Sequence, residues 1–275
     1  MTNLEKKIKQ CPICNDISKT KILECWQGNE HAVCLNCGVW YQIKHNEVEY
    51  DSTYWGEVVD PDGIKRDLTK EREDKVKNWY GETINYVNSS KPGKILDIGA
   101  GLGFFLSAIS KHWEQHAFDI SEEALSIIKE TLPSVYRHND LDNLLERLGE
   151  GYFDVIMCYH VVEHLSDPKA LIKLISKLLK PGGTLMLGAP NAESYVARRF
   201  KGNFRLLSDS HLYLPTKRGL EILLEKSKLE IISMEYPFFK TKYFTLNNLM
   251  RMYDTSKLSP PFYGSVMTAY IRKKI

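Results

Sequence analysis

"KILDIGAGLGFFL", residues 94 to 106, decides the fold. A short apolar run ends in Asp97 and Ile98 and leads into Gly99, Gly101 and Gly103; an apolar amphipathic stretch follows. Strand, glycine turn and helix in that order open a doubly wound α/β sheet. Glycines in such a turn let the backbone approach a ligand where a β-carbon would clash. A bare G-x-G-x-G recurs by chance, so its neighbours carry the argument. A dinucleotide fingerprint needs G-x-G-x-x-G, and Phe104 stands at its last position. Asp97, just before the turn, would repel a pyrophosphate and suit a ligand bearing a positive ammonium group.

Outward from this stretch the pattern repeats. "EQHAFDIS" predicts a second strand ending at Asp119, twenty residues after Gly99, where a carboxylate can accept both hydroxyls of a ribose. Ser121 caps the helix that follows, with Glu122 and Glu123 in its first turn. "SVYRHNDLDNL" reads as a third strand and a turn at Asp140, and "YFDVIMCYH" as a fourth strand. "DPKALIKLISKLLKPGG" reads as a helix capped by Asp167 and ended by Gly182, and "TLMLGAPN" as a fifth strand. Alternating strands and helices predict a parallel sheet covered on both faces.

"LDIGAGLG", "FDIS", "NDL", "FDVIMCYHVVEHLSDP" and "LLKPGGTLMLGAPN" follow in order across about residues 91 to 191. In this the chain resembles the class I S-adenosylmethionine-dependent methyltransferases. The resemblance implies a mostly parallel, seven-stranded, Rossmann-like sheet. "LEIISME" and "SVMTAYIRKK" would supply the last strands, the final one antiparallel. It also implies roles at the cofactor: Asp97 with Gly99, Ala100, Gly101 and Gly103 at the methionine part, Asp119 with Ile120 at the ribose, and Asp140 and Leu141 at the adenine, with Cys158, at the tip of the fourth strand, flanking the cofactor. The aromatic, turn-rich stretch before the sheet reads either as a packed connector or as a lid in which Tyr54, with Trp55, closes over the cofactor.

Five of the six cysteines fall within the first 37 residues. "CPIC" and "CLNCG" place Cys11, Cys14, Cys34 and Cys37 at the spacing of a two-knuckle zinc site. Four thiolates close a tetrahedron, so this metal is structural and supplies folding energy to a segment too short for a core. Cys25 is left over, and His31 and His45 lack ligand spacing. The organisation expected is a zinc ribbon over 1–50, a connector over 51–90 and the methyltransferase domain over 91–275.

"YHVVEHL", residues 159 to 165, spells the inverted zinc-protease motif H-x-x-E-H. That motif needs both histidines on one helix, whereas His160 directly follows an apolar strand. Its place is instead the carboxyl end of a strand, where open α/β sheets bind ligands. His160 is one candidate general base for a hydroxyl acceptor; His211, in "SDSHLYLP" with Asp209 near it in sequence, is the other. The stretch also resembles that of quinone-pathway O-methyltransferases, which implies an alternative: a divalent metal at His160, Glu163 and His164. Those enzymes carry glutamate where His160 stands.

The bulk numbers fit this picture. The 275 residues carry a net charge of +2, which argues against a strongly basic nucleic-acid binder. No long apolar run and no signal segment are visible, so a cytoplasmic protein without a membrane span is expected. The acceptor expected is a small molecule or glycan: a sugar, a cell-surface polysaccharide precursor or a natural product. The alternatives are an RNA base methyltransferase and a cofactor-binding interaction protein without catalysis. Oligomeric state is not legible in the sequence.

Overall fold

A computed structural model describes residues 10–16, 20–44, 57–59 and 65–275. Tyr54, Trp55 and His45 lie outside the described residues.

One seven-stranded sheet organises the chain. Its strands are β1 (Lys94–Ile98), β2 (Glu114–Phe118), β3 (Tyr136–His138), β4 (Phe153–Tyr159), β5 (Leu179–Pro190), β6 (Leu229–Glu235) and β7 (Val266–Lys273). Their order across the sheet is β6-β7-β5-β4-β1-β2-β3. β1 runs parallel to both β2 and β4, and β2 parallel to β3. The order reverses at β1, so the turn after β1 sits at the switch point where such sheets bind ligands. The expected fold class is therefore the observed one. β1 and β4 are buried almost end to end, which is why they read as continuous apolar runs.

Helix starts follow their caps. Ser121 Oγ accepts from Ala124 N ahead of the helix Glu122–Thr131, and Asp167 Oδ1 accepts from Lys169 N and Ala170 N ahead of Pro168–Leu178. That second helix stops at Leu178, four residues short of Gly182, and β5 begins at once. Pro181 explains the early stop: it brings no N–H and disfavours helical backbone at Lys180.

The chain divides into two compact units, interleaved in sequence. The first holds the described part of 1–48 with 160–173 and 188–269; the second holds the described part of 49–159 with 174–187 and 270–275.

In the first unit the strands Thr20–Glu24, Glu30–Cys34 and Trp40–Gln42 form an antiparallel sheet, extended by the two-residue strand Tyr213–Leu214 on Trp40 and Tyr41. One apolar core joins Cys25 and Trp40 to Val196, Phe200, Phe204, Leu207, Leu214 and Met252. Gly202 lies directly beneath the carbonyl of Glu24, where any β-carbon would collide, and its own carbonyl accepts from Trp26 N at 2.9 Å. The ribbon is thus built into the segment 192–214 rather than tethered to it.

Candidate functional site

In the second unit, the turn after β1 carries three glycines at positive φ: 74° at Gly99, 52° at Gly101 and 76° at Gly103. Gly103 is also a packing position, since a β-carbon there would meet Ile128 and Leu132 at 3.0 Å. Gly99 N and Ala100 N both donate to Phe118 O, at 2.8 and 3.0 Å, which ties the turn to the end of β2. Asp119 follows β2 and is buried. Its Oδ2 accepts from Gly101 N at 2.8 Å and its Oδ1 from Ser121 N at 2.9 Å. Each carboxylate oxygen has a second lone pair for a hydroxyl donor.

Asp97 is 2% exposed. Burial, aided by the charge of Asp119, pushes its carboxyl well above the usual range. A ligand bearing an ammonium group would offset that cost, so the residues present fit S-adenosylmethionine, a cation at its methionine end. Cys158 is fully buried, Ile120 is 65% exposed, and Leu141 is half-buried. Asp140 is exposed and caps the helix Leu141–Leu148, its Oδ1 accepting from Asp142 N and Asn143 N. An aromatic cluster that no motif announced packs at the end of β4. Tyr159 lies 4.7 Å from Phe105 and 4.6 Å from Tyr80 between ring centres, and its hydroxyl meets Thr83 Oγ1 at 2.9 Å.

In the first unit, Cys11 Sγ lies 3.6 Å from Cys37 Sγ, and Cys14 Sγ lies 3.4 Å from Cys34 Sγ. All four sulfurs fall within 4.8 Å of one another. A tetrahedron of Zn–S bonds about 2.3 Å long has edges of about 3.8 Å, so the group fits one zinc ion. Neither remaining candidate joins it. Cys25 sits in the apolar core, where burial raises its pKa, and burial takes His31 down to about 4.

The second group in this unit gathers around Glu163. Residues Val162–His164 form a 3₁₀ turn, and Glu163 is fully buried. His160 Nδ1 meets Glu163 Oε1 at 3.0 Å. His160 is 29% exposed and holds φ at 55°, a left-handed backbone that a non-glycine residue adopts only at a cost. His164 Nδ1 meets Ser210 O at 2.7 Å, and His211 Nδ1 meets Leu206 O at 2.6 Å. Carbonyls only accept, so both Nδ1 atoms carry the proton. Burial opposes the Glu163 charge, but the hydrogen bond from His160 and the fields of His160, His164 and His211 prevail and bring its pKa to about 2. Burial, then the charge of His164, takes His211 down to about 4. The side chains placed together within 4.8 Å are Glu163, His164 and His211; His160 contacts the group through Glu163.

The loop that carries His211 is held by the ribbon. Gln42 N donates to Leu212 O at 2.9 Å, and Gln42 Nε2 to Asp209 O at 2.8 Å. Asp209 bonds to Asn29 and Gln27 and so belongs to this scaffold. Leu212 N donates to Glu163 O at 2.8 Å, and Thr216 Oγ1 to Cys37 O at 2.6 Å. Sequence gave no sign of Gln27, Asn29 or Gln42, because their partners lie far away in the chain.

A family profile described as a methyltransferase domain matches residues 70–234, more than half of the chain. The chain belongs to the class I S-adenosylmethionine-dependent methyltransferases. Within the family, an Idiomarina loihiensis protein named ubiquinone biosynthesis O-methyltransferase is 30% identical over 145 residues, 51% of this chain and 56% of that protein. The chain thus spans about half the length of the curated relatives it matches. A SAM-dependent methyltransferase structure from Archaeoglobus fulgidus aligns over 75% of this chain and 93% of its own, with TM-score 0.51 and 21% identity. The [4+2]-cyclase SpnF aligns over 70% of this chain and 80% of its own, with TM-score 0.51 and 17% identity. Likeness at that level shows the fold alone, and the cyclase illustrates that this fold hosts more than one chemistry. No described helix is long and apolar enough to cross a membrane.

Proposed function

We propose that the chain transfers the methyl group of S-adenosylmethionine to a hydroxyl of a small-molecule acceptor. The cofactor supplies the electrophilic carbon and its leaving group. This chain's residues then have two tasks: to hold the cofactor through Asp97, the glycine turn and Asp119, and to take the proton from the acceptor oxygen.

The observation that carries this reading is the His160–Glu163 pair. The buried carboxylate accepts from Nδ1, which fixes the tautomer and leaves Nε2 as the basic nitrogen of a partly exposed ring. That is the arrangement a general base requires. His160 immediately follows β4 in the chain, and its strained backbone is the kind of cost that a functional position repays. His211 is the poorer base, because a pKa near 4 gives little driving force for proton abstraction at neutral pH.

The relatives' printed name directs the first assays to aromatic hydroxyls, with sugar and other natural-product hydroxyls beside them. Arg199 Nε and Arg205 Nε, from the basic stretch 198–205, donate to Met252 O and Ser259 O, so this stretch serves to hold its own chain. The test is transfer of labelled methyl to a panel of phenolic, sugar and amine acceptors. Transfer to hydroxyls that rises with pH and is lost in His160→Ala is expected. Transfer to amines alone, unchanged in His160→Ala, would overturn the proposal.

A further inference from the structure

Residues 236–257, in the first unit, are built inside out. Their hydrogen-bonding side chains face the interior. Thr241 is buried, and its Oγ1 donates to Phe238 O at 2.7 Å. Asn248, equally buried, donates from Nδ2 to Tyr243 O at 2.9 Å, and its backbone N donates to Thr245 Oγ1 at 3.2 Å. Asn248 and Met252, four positions apart, make the inner face of the helix Leu246–Arg251 and the turn that ends it. Met252 joins the apolar core that holds Phe200 and Phe204. The apolar side chains of the stretch face out instead. Leu246, Leu249, Met250 and Tyr253 keep the i, i+3, i+4, i+7 spacing of one helical face. That face is the solvent side: Leu246 is 74% exposed, Met250 62% and Tyr253 80%. Phe239 and Phe244, on the loop that enters the helix, are exposed as well, with their rings 5.3 Å apart, and Tyr263 packs 5.2 Å from Phe239. Single exposed hydrophobes are ordinary, but a cluster of them, pinned from beneath, marks a surface made for apolar contact.

Charge says what that surface meets. The same stretch holds Lys240, Lys242, Arg251 and Lys257 against one acid, Asp254, a net charge of +3, so the rest of the chain comes to −1. A second copy of the chain would bring the same positive field against it. A helix of six residues is too short to lay several turns along a groove in a protein partner, and the apolar set continues over a loop. A bilayer is deformable and accepts such a ridge. Tyrosine rings and lysine stems are suited to it, since each has an apolar body and a polar tip. We propose that residues 239–253 dock on the surface of an anionic phospholipid bilayer. Phe239, Phe244, Leu246, Met250 and Tyr253 enter the interface, and the positive charge of the stretch lies at the level of the lipid phosphates. Docking of this kind needs neither cofactor nor methyl transfer, so it stands or falls apart from the proposed activity.

The experiment is co-sedimentation of the full-length, zinc-containing protein with vesicles of phosphatidylcholine alone and of a three-to-one mixture with phosphatidylglycerol. Binding to the mixed vesicles at least about tenfold tighter than to the neutral ones is expected, and it should weaken at least about tenfold as salt rises from about 0.05 to 0.5 M. Leu246→Asn, Met250→Gln and Tyr253→Ser combined, all at exposed positions, should weaken it at least about a hundredfold. The unfolding midpoint of the combined variant, unchanged from wild type, serves as its folding control. Should it fail that control, Tyr253→Trp in the otherwise native chain gives a second reading: brominated acyl chains should quench the emission that this tryptophan adds. No preference for anionic vesicles, unchanged affinity in the folded combined variant, or no quenching at position 253 would each overturn the proposal. A dimer in sedimentation velocity that dissociates in the combined variant would give the surface to a second copy and overturn it as well.

Discussion

The two units assemble their sites in opposite ways. In the second, each residue proposed to hold the cofactor arises from a local device: a strand, the turn after it and the helix that the turn feeds. Asp97 and Gly103 are six positions apart, and Asp119 caps off the next strand. In the first, the group around Glu163 needs three distant pieces at once: the turn 160–164, the loop 206–212 and the ribbon strand Trp40–Gln42 that holds the loop. A locally built site tolerates disturbance elsewhere. A site built from distant pieces fails when any one piece loosens.

The largest test of this contrast removes the zinc. Cys34→Ser, or stripping with a thiol-reactive mercurial, should loosen the ribbon sheet and with it the loop at Leu212. Amide exchange over 203–214 should accelerate at least about tenfold and methyl transfer should be lost, while S-adenosylhomocysteine affinity stays within about twofold. Lost cofactor affinity would break the contrast. A smaller effect, still large, is expected at one side chain. His160→Ala should lower kcat by about 10²–10⁴-fold with cofactor affinity nearly unchanged, as measured by initial rates and calorimetry.

Smaller again is Asp119→Ala, which should weaken cofactor binding by about 1–3 kcal/mol, the cost of unmade charge-assisted hydrogen bonds, without altering metal content. Unchanged affinity by calorimetry would remove Asp119 from the ribose role. The smallest effect concerns stability of the second unit. Burial holds His138 at about 4, below the ordinary 6.5, and lowers His116 as well; their rings stack 5.2 Å apart. The unfolded chain therefore binds more protons than the folded chain between those values. Stability from this pair should be full above about pH 6.5 and fall as pH drops toward 4, a slope that denaturant titrations would detect and His138→Gln would flatten.

The same contrast explains what the sequence disclosed. The sheet, its glycine turn and the caps at Ser121 and Asp167 were legible because a few adjacent residues determine each. The four cysteines were legible from spacing. Gln42 and Asn29 were not, since nothing local marks a glutamine or asparagine whose partner lies more than 160 positions away. His211 was visible as a polar loop residue, but its pairing with Glu163 was not. The early end of the helix at Leu178 was legible in principle, in Pro181, and was outweighed there by the leucine stripe that runs through Leu179.

The strand Tyr213–Leu214 gives the ribbon a timetable. Trp40 and Tyr41 leave the ribosome early, but the strand that pairs with them is made about 170 residues later. At ribosomal speeds of about 5–20 residues per second, that edge waits for roughly 10–30 seconds. An unpaired strand edge is an invitation to the wrong neighbour. Zinc captured by Cys11, Cys14, Cys34 and Cys37 during that interval would keep the nascent ribbon in shape until its late partner arrives, so the metal would serve the chain's synthesis as well as its finished form.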